Sequence, residues 1–145
     1  MDRFMRFFET VHGVYFDDLD AFQILHNARY LLIFEHTIGA FWRHLGWAGK
    51  LDFNTNPDQF HLVRANQIEY VRAVEGTGQV RVRLWIERLG RTALTIGFRV
   101  LPLDQDLDHA RGSRVLVRVD PSTRQPVPWT DEIRAKLAPY CVTSA

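Results

Sequence analysis

The sequence predicts an α+β domain, an apolar helix packed on one face of an antiparallel sheet, and three observations predict it. A single strand pattern opens the chain and is followed by one apolar run of helical period. The second half carries successive strand patterns of alternating hydrophobicity. Short turns join those strands, so the strands follow the helix within one domain. The length, 145 residues, suits one domain with a real core, taken as residues 1–145.

Composition narrows the function classes. Hydrophobic residues make up 46% and charged residues 24%, which argues for an ordered chain. The formal net charge of +1 excludes a nucleic-acid footprint spread over the whole surface. Lys occurs only at Lys50 and Lys136, so nearly all cationic charge is Arg. Cys141 is the sole cysteine and excludes an intrachain disulfide or a cysteine metal cluster. The six histidines are scattered, so neither a metal nor another cofactor is expected. No stretch is long and apolar enough to span a membrane, and the N-terminus lacks a signal pattern. A cytoplasmic location is expected.

The elements follow in order. Phe8, Thr10, His12, Val14 and Phe16 share one face of a predicted strand. Residues 27–45 read as a helix: Leu31, Phe34, Ile38, Phe41 and Leu45 recur at three- and four-residue spacing, widened by Tyr30 and Trp42. Asn27 is the predicted N-cap and Gly46 the stop. So apolar a helix is expected to be enclosed, and its Glu35 to need a partner. Residues 46–60 form a loop rich in turn residues, with Trp47, Phe53 and Phe60 available to line a pocket or cover the core. Strands are then expected over 61–74, 79–89, 94–100 and 111–120. Val80, Val82, Leu84 and Ile86 face inward in the second of these, with Arg81, Arg83, Trp85 and Glu87 outward. Leu94, Ile96, Phe98 and Val100 form the next inward face, and Val115, Val117 and Val119 mark the last strand. A short helix capped by Thr130 or Asp131 ends the chain. A buried helix wrapped by a curved antiparallel sheet is the hotdog architecture.

The candidate site is the acidic turn ahead of the helix, D-D-L-D-A-F-Q-I-L-H-N-A-R-Y over residues 17–30. A helix start offers unpaired N–H groups that polarise a carbonyl, and a nearby carboxylate can attack that carbonyl or activate water beside it. The same residues would also suit a turn whose aspartates only cap. The run D-L-D-A-F-Q-I-L-H-N-A-R-Y-L-L-I-F-E resembles the signature of 4-hydroxybenzoyl-CoA thioesterase-type hotdog proteins, including the YbgC-like acyl-CoA thioesterases. Asp18, Asp20, Tyr30 and Glu35 fall on matching positions. The likeness continues through I-E-Y-V-R-A-V at 68–74, E-R-L-G-R-T-A-L-T at 87–95 and the tail P-V-P-W-T-D-E-I-R, four motifs in register over nearly the whole chain.

The resemblance implies an acyl-CoA thioesterase in which Asp20 acts as nucleophile or general base and the Asn27 backbone N–H polarises the thioester carbonyl. Asp18 reads as structural. Tyr30, Gln23 and His26 are candidate substrate contacts, and Arg88 and Arg91, flanking Gly90, are candidate partners for the phosphates of CoA, ahead of Arg64 and Arg124. The resemblance also implies a homo-oligomer, dimer or tetramer, with sites between subunits. One departure stands out: Gln23 replaces the glycine usual in the family. It keeps open a second reading, a non-hydrolytic hotdog that binds acyl-CoA or an acyl carrier protein. A hotdog dehydratase lacks its catalytic His pattern here.

Overall fold

The structure, a computed structural model, describes residues 6–142. Strand β1 (Phe8–Val14) leads through a 3-10 turn at Phe16–Asp18 into helix α1 (Asn27–His44). Strands β2 (His61–Tyr70), β3 (Gly78–Leu89), β4 (Ala93–Leu101) and β5 (Ala110–Arg118) follow, then helix α2 (Asp131–Leu137). The strands form one antiparallel sheet in the order β1-β3-β4-β5-β2. Register shifts between Val63 and Ala65 and between Ile86 and Arg88 bulge β2 and β3, which bends the sheet. This is the expected α+β hotdog.

The core lies between α1 and the inward face of β3 and β4. Val80, Val82, Leu84 and Ile86, with Leu94, Ile96, Phe98 and Val100, are buried as their alternation predicts. Phe34 stacks on Phe98 at 4.0 Å between ring centroids, and Phe41 meets Phe8 at 5.3 Å and Tyr140 at 4.9 Å. Each such fully buried side chain contributes about 1.5–3 kcal/mol by leaving water. The helix buries Tyr30, Ile33, Phe34, Thr37, Ile38, Phe41 and Trp42, whereas Leu32, Glu35, His36 and Gly39 are exposed. The helix therefore packs by one face within a single chain and is not enclosed all round, because β2 lies beyond its flank at the sheet edge.

Two strand ends are corrected, and two further features of the sheet are added. The first strand stops at Val14, and Phe16 opens a 3-10 turn with 77% of its surface exposed. The strand expected to reach Val74 ends at Tyr70, after which Val71 and Arg72 both donate their N–H to the His109 carbonyl. In β5 the inward residues are Arg114 and Leu116, while Val115 and Val117 are half-buried on the other face. Arg83 does sit on the outward face, yet it is only 6% exposed. There it is held by Glu9 at 2.8 Å and Asp106 at 3.3 Å and lies over the Phe7 ring at 4.1 Å. The expected cap of the second helix is found at Thr130, whose hydroxyl accepts the Ile133 N–H.

Candidate active site

The turn over residues 17–26 is a folded unit. The Asp20 N–H donates to the Ile24 carbonyl at 2.9 Å, and the Gln23 N–H donates to the Asp20 carbonyl at 3.0 Å. Ala21, Phe22 and Gln23 thus make a three-residue connection whose last residue, Gln23, has φ +62°. That left-handed position usually goes to glycine, which explains the family glycine and shows that Gln23 holds the same backbone shape. The turn is tied down from both sides. Leu25 N–H bonds the Val74 carbonyl, Gly76 N–H bonds the Gln23 carbonyl, and His26 N–H bonds the Asp18 carbonyl. Asp18 is structural here: its Oδ2 accepts the Tyr15 N–H at 2.8 Å, and its Oδ1 lies 3.7 Å from Arg29.

Asp20 is aimed by the same turn. Its Oδ1 accepts the Phe22 N–H at 2.8 Å and the Ile24 N–H at 3.4 Å. Its Oδ2 has no partner among the described residues and is the oxygen left for the cavity that Asp20 lines. That cavity, of about 330 Å³, is bounded by Asp20, Ile24, Leu25, Asn27, Tyr30, Tyr70, Arg72 and Ala73.

The N-cap of α1 is His26, one residue earlier than expected. Its Nδ1 accepts the Ala28 N–H at 3.0 Å, which places the ring proton on Nε2. Arg29 N–H is satisfied by the His26 carbonyl at 2.9 Å. The Asn27 N–H is left without an acceptor among the described residues, at the positive end of the helix dipole and on the wall of the Asp20 cavity. Tyr70 braces this end, its hydroxyl donating to the Asn27 carbonyl at 3.2 Å. Tyr30, buried beneath, meets Tyr70 edge-on at 5.1 Å. Burial, with the neighbouring Tyr70 adding to it, pushes the Tyr30 phenol above its ordinary pKa, so it stays neutral.

Asp20, Asn27 and Tyr30 are therefore brought to one cavity. Gln23 shapes the turn with its backbone, its side chain exposed, and His26 is engaged as a cap. Arg88 and Arg91 lie elsewhere. With Arg64, Gly90, Thr92 and Thr95 they line a second cavity of about 500 Å³. Val14 pairs opposite Gly78, so the acidic turn sits at the Gly78 end of β3, whereas Arg88 is at the other end, roughly 30 Å along the strand. Glu35 is exposed, so burial does not force it to pair; the buried member is Arg114, which meets Glu35 at 2.9 Å and donates to the Asn66 side chain at 2.8 Å. Tyr70 and Arg72 had not been singled out. The stretch I-E-Y-V-R-A-V contains both, but β2 ends at Tyr70, so alternation says nothing of which way Arg72 faces. Among the described residues no cluster of His, Cys, Asp and Glu could hold a metal, and no helix is long and apolar enough to cross a membrane.

A helix packed on one face of a bent five-stranded antiparallel sheet, with Asp20 and the start of that helix lining one cavity, defines a hotdog domain. The sequence profile of the thioesterase-like superfamily matches residues 14–137, and the chain belongs to that superfamily. Solved structures agree on the fold. A predicted thioesterase from Bacillus stearothermophilus is 24% identical, with 97% of this chain and 100% of that chain covered and a TM-score of 0.81. A 1,4-dihydroxy-2-naphthoyl-CoA thioesterase from Synechocystis is 12% identical, with 92% and 96% covered and a TM-score of 0.78. The YbaW probable thioesterase from Escherichia coli is 20% identical, with 92% and 98% covered and a TM-score of 0.74. No curated protein matches the sequence.

Proposed function

We propose that this protein is a cytoplasmic acyl-CoA thioesterase that hydrolyses a thioester to the free acid and CoA. The observation that carries the reading is the shared cavity: Asp20, with one carboxylate oxygen that has no partner among the described residues, lines the same space as Asn27, whose N–H has no acceptor among them. As general base, Asp20 takes a proton from water while the water oxygen adds to the thioester carbonyl carbon. As nucleophile, Asp20 adds itself, and water later cleaves the resulting anhydride. On either route the carbonyl oxygen becomes an oxyanion that the Asn27 N–H stabilises. Collapse expels the CoA thiolate, which leaves with a proton.

The CoA end is assigned to Arg88 and Arg91, aided by Arg64, none of which has a carboxylate partner among the described residues. Their distance from Asp20 supports a site completed by a second copy. Strand β2 is an edge of ten residues, with Leu62, Val63 and Tyr70 each about half exposed. So long an open edge invites pairing. Antiparallel pairing of two β2 strands about a two-fold axis brings the Arg64 end of one copy beside the Tyr70 end of its partner. A dimer of this kind is the unit from which a tetramer would be built. An acyl carrier protein offers the same thioester but lacks the nucleotide phosphates that the arginine-lined cavity suits.

The test is Asp20→Asn, assayed by thiol release over a panel of aliphatic and aromatic acyl-CoAs. Turnover is expected to fall roughly 10²- to 10⁴-fold. Undiminished turnover removes the mechanism. Tight acyl-CoA binding by the unaltered protein with no thiol release would identify a non-hydrolytic binder.

A further inference from the structure

The Asp20 cavity holds a second charge that the proposed hydrolysis does not use. Arg72 lines it, and its backbone is fixed on both sides: its N–H donates to the His109 carbonyl at 3.0 Å, and its carbonyl lies 3.1 Å from the His109 Nδ1. The guanidinium itself makes no hydrogen bond and no ion pair with any described residue. Asp20 and Arg72 thus share one cavity, opposite in charge, without coming within ion-pairing distance of each other. The rest of the wall is Ile24, Leu25, Tyr30, Tyr70, Ala73 and Asn27. Arg72 is exposed, so water satisfies it while the cavity is open; a neutral acyl group filling the cavity would displace that water and leave the cation without a counter-charge. It would also leave it available to swing onto Asp20 and quench the carboxylate. An acyl group bearing its own carboxylate removes both difficulties, because a planar guanidinium takes a carboxylate in a two-point contact.

We infer that Arg72 is the specificity-determining residue of this site, and that its preferred substrates are thioesters of dicarboxylic acids, the distal carboxylate held by Arg72 while Asp20 acts on the thioester. This rests on the thioesterase reading and names the substrate class within it. Arg72 serves substrate choice, and the bond making and breaking stay with Asp20, water and the Asn27 amide.

The experiment compares the full-length protein with Arg72→Gln and Arg72→Lys on matched pairs of acyl-CoAs. The pairs are succinyl and butyryl, decanedioyl and decanoyl, and 4-carboxybenzoyl and benzoyl. The readout is the ratio of kcat/KM for the carboxylated member over the uncharged one. In the unaltered protein at least one pair favours the carboxylated member. In Arg72→Gln that ratio falls roughly 10- to 100-fold, the span expected for losing a charged hydrogen-bond partner. Arg72→Lys, which keeps the charge but loses the fork, gives an intermediate ratio. No preference in the unaltered protein, or a ratio in Arg72→Gln within about twofold of the parent's, overturns the inference. If none of the six thioesters releases thiol, the thioesterase reading fails by itself. The inference is then decided by the Kd ratio for thioether analogues of the same pairs, which must show the same dependence on Arg72.

Discussion

Arginines occupy two kinds of place on this sheet. On its outer face Arg81, Arg83, Arg99 and Arg111 each meet a carboxylate: Asp106 at 2.8 Å, Glu9 at 2.8 Å, Asp108 at 2.6 Å and Glu69 at 3.1 Å. At the two cavities Arg64, Arg72, Arg88 and Arg91 meet none among the described residues. The residue type is the same in both places, and the difference lies in what faces it. In the first group the charges satisfy each other, and the hydrogen bond from Arg81 holds Asp106 below the ordinary carboxylate pKa. In the second, the guanidinium groups are exposed to solvent, and their assignment to substrate is the proposal made above. A count of arginines cannot separate these roles, but their partners can.

The largest effect is expected where a paired arginine is also buried. Arg83→Met keeps the aliphatic stem over Phe7 but strands half-buried Glu9 with only Arg81 at 3.3 Å. A loss of about 2–3 kcal/mol in unfolding free energy is expected by urea denaturation, somewhat less than a wholly buried broken pair costs. A loss below about 0.5 kcal/mol would place Arg83 with the unpaired group. Next in size is Arg88→Ala combined with Arg91→Ala. The KM for acyl-CoA should rise roughly 10-fold and lose much of its salt dependence, while stability moves by about 0.5 kcal/mol or less. A large stability loss with unchanged KM would reverse the assignment. Arg111→Gln is the smallest: its pair with Glu69 is 52% and 63% exposed, so no resolvable change is expected by the same denaturation.

Much of the fold was legible because periodicity tracks burial where one face of a strand packs on a helix. The inward faces of β3 and β4 and the buried stripe from Tyr30 to Trp42 came directly from spacing. The inward face of β5 was not legible because it carries Arg114. A charge counts against burial in a pattern, and this one is neutralised by Glu35 and hydrogen-bonded by Asn66, both far away in the chain. At the candidate site, motif register singled out Asp20 and Tyr30 and the helix boundary singled out Asn27, and the three line one cavity. The cap was displaced by one residue because Asn is the commoner cap and His the rarer one. Arg72 was not legible. Nothing in a sequence records that a cation lacks a partner, and Arg72 lies past the end of β2, where strand alternation no longer gives direction.

The two oxygens of Asp20 are not equivalent, and this changes what its amide analogue would do. Backbone donors at Phe22 and Ile24 demand an acceptor at the inner position. An asparagine there must present its carbonyl oxygen to them and its NH₂ to the cavity. The polarity at the mouth of α1 would be inverted, from an acceptor facing an amide to two donors side by side. Such a protein would grip an acyl oxygen more firmly than the parent while being unable to cleave the bond, and would make the natural trap for crystallising the intact thioester in place.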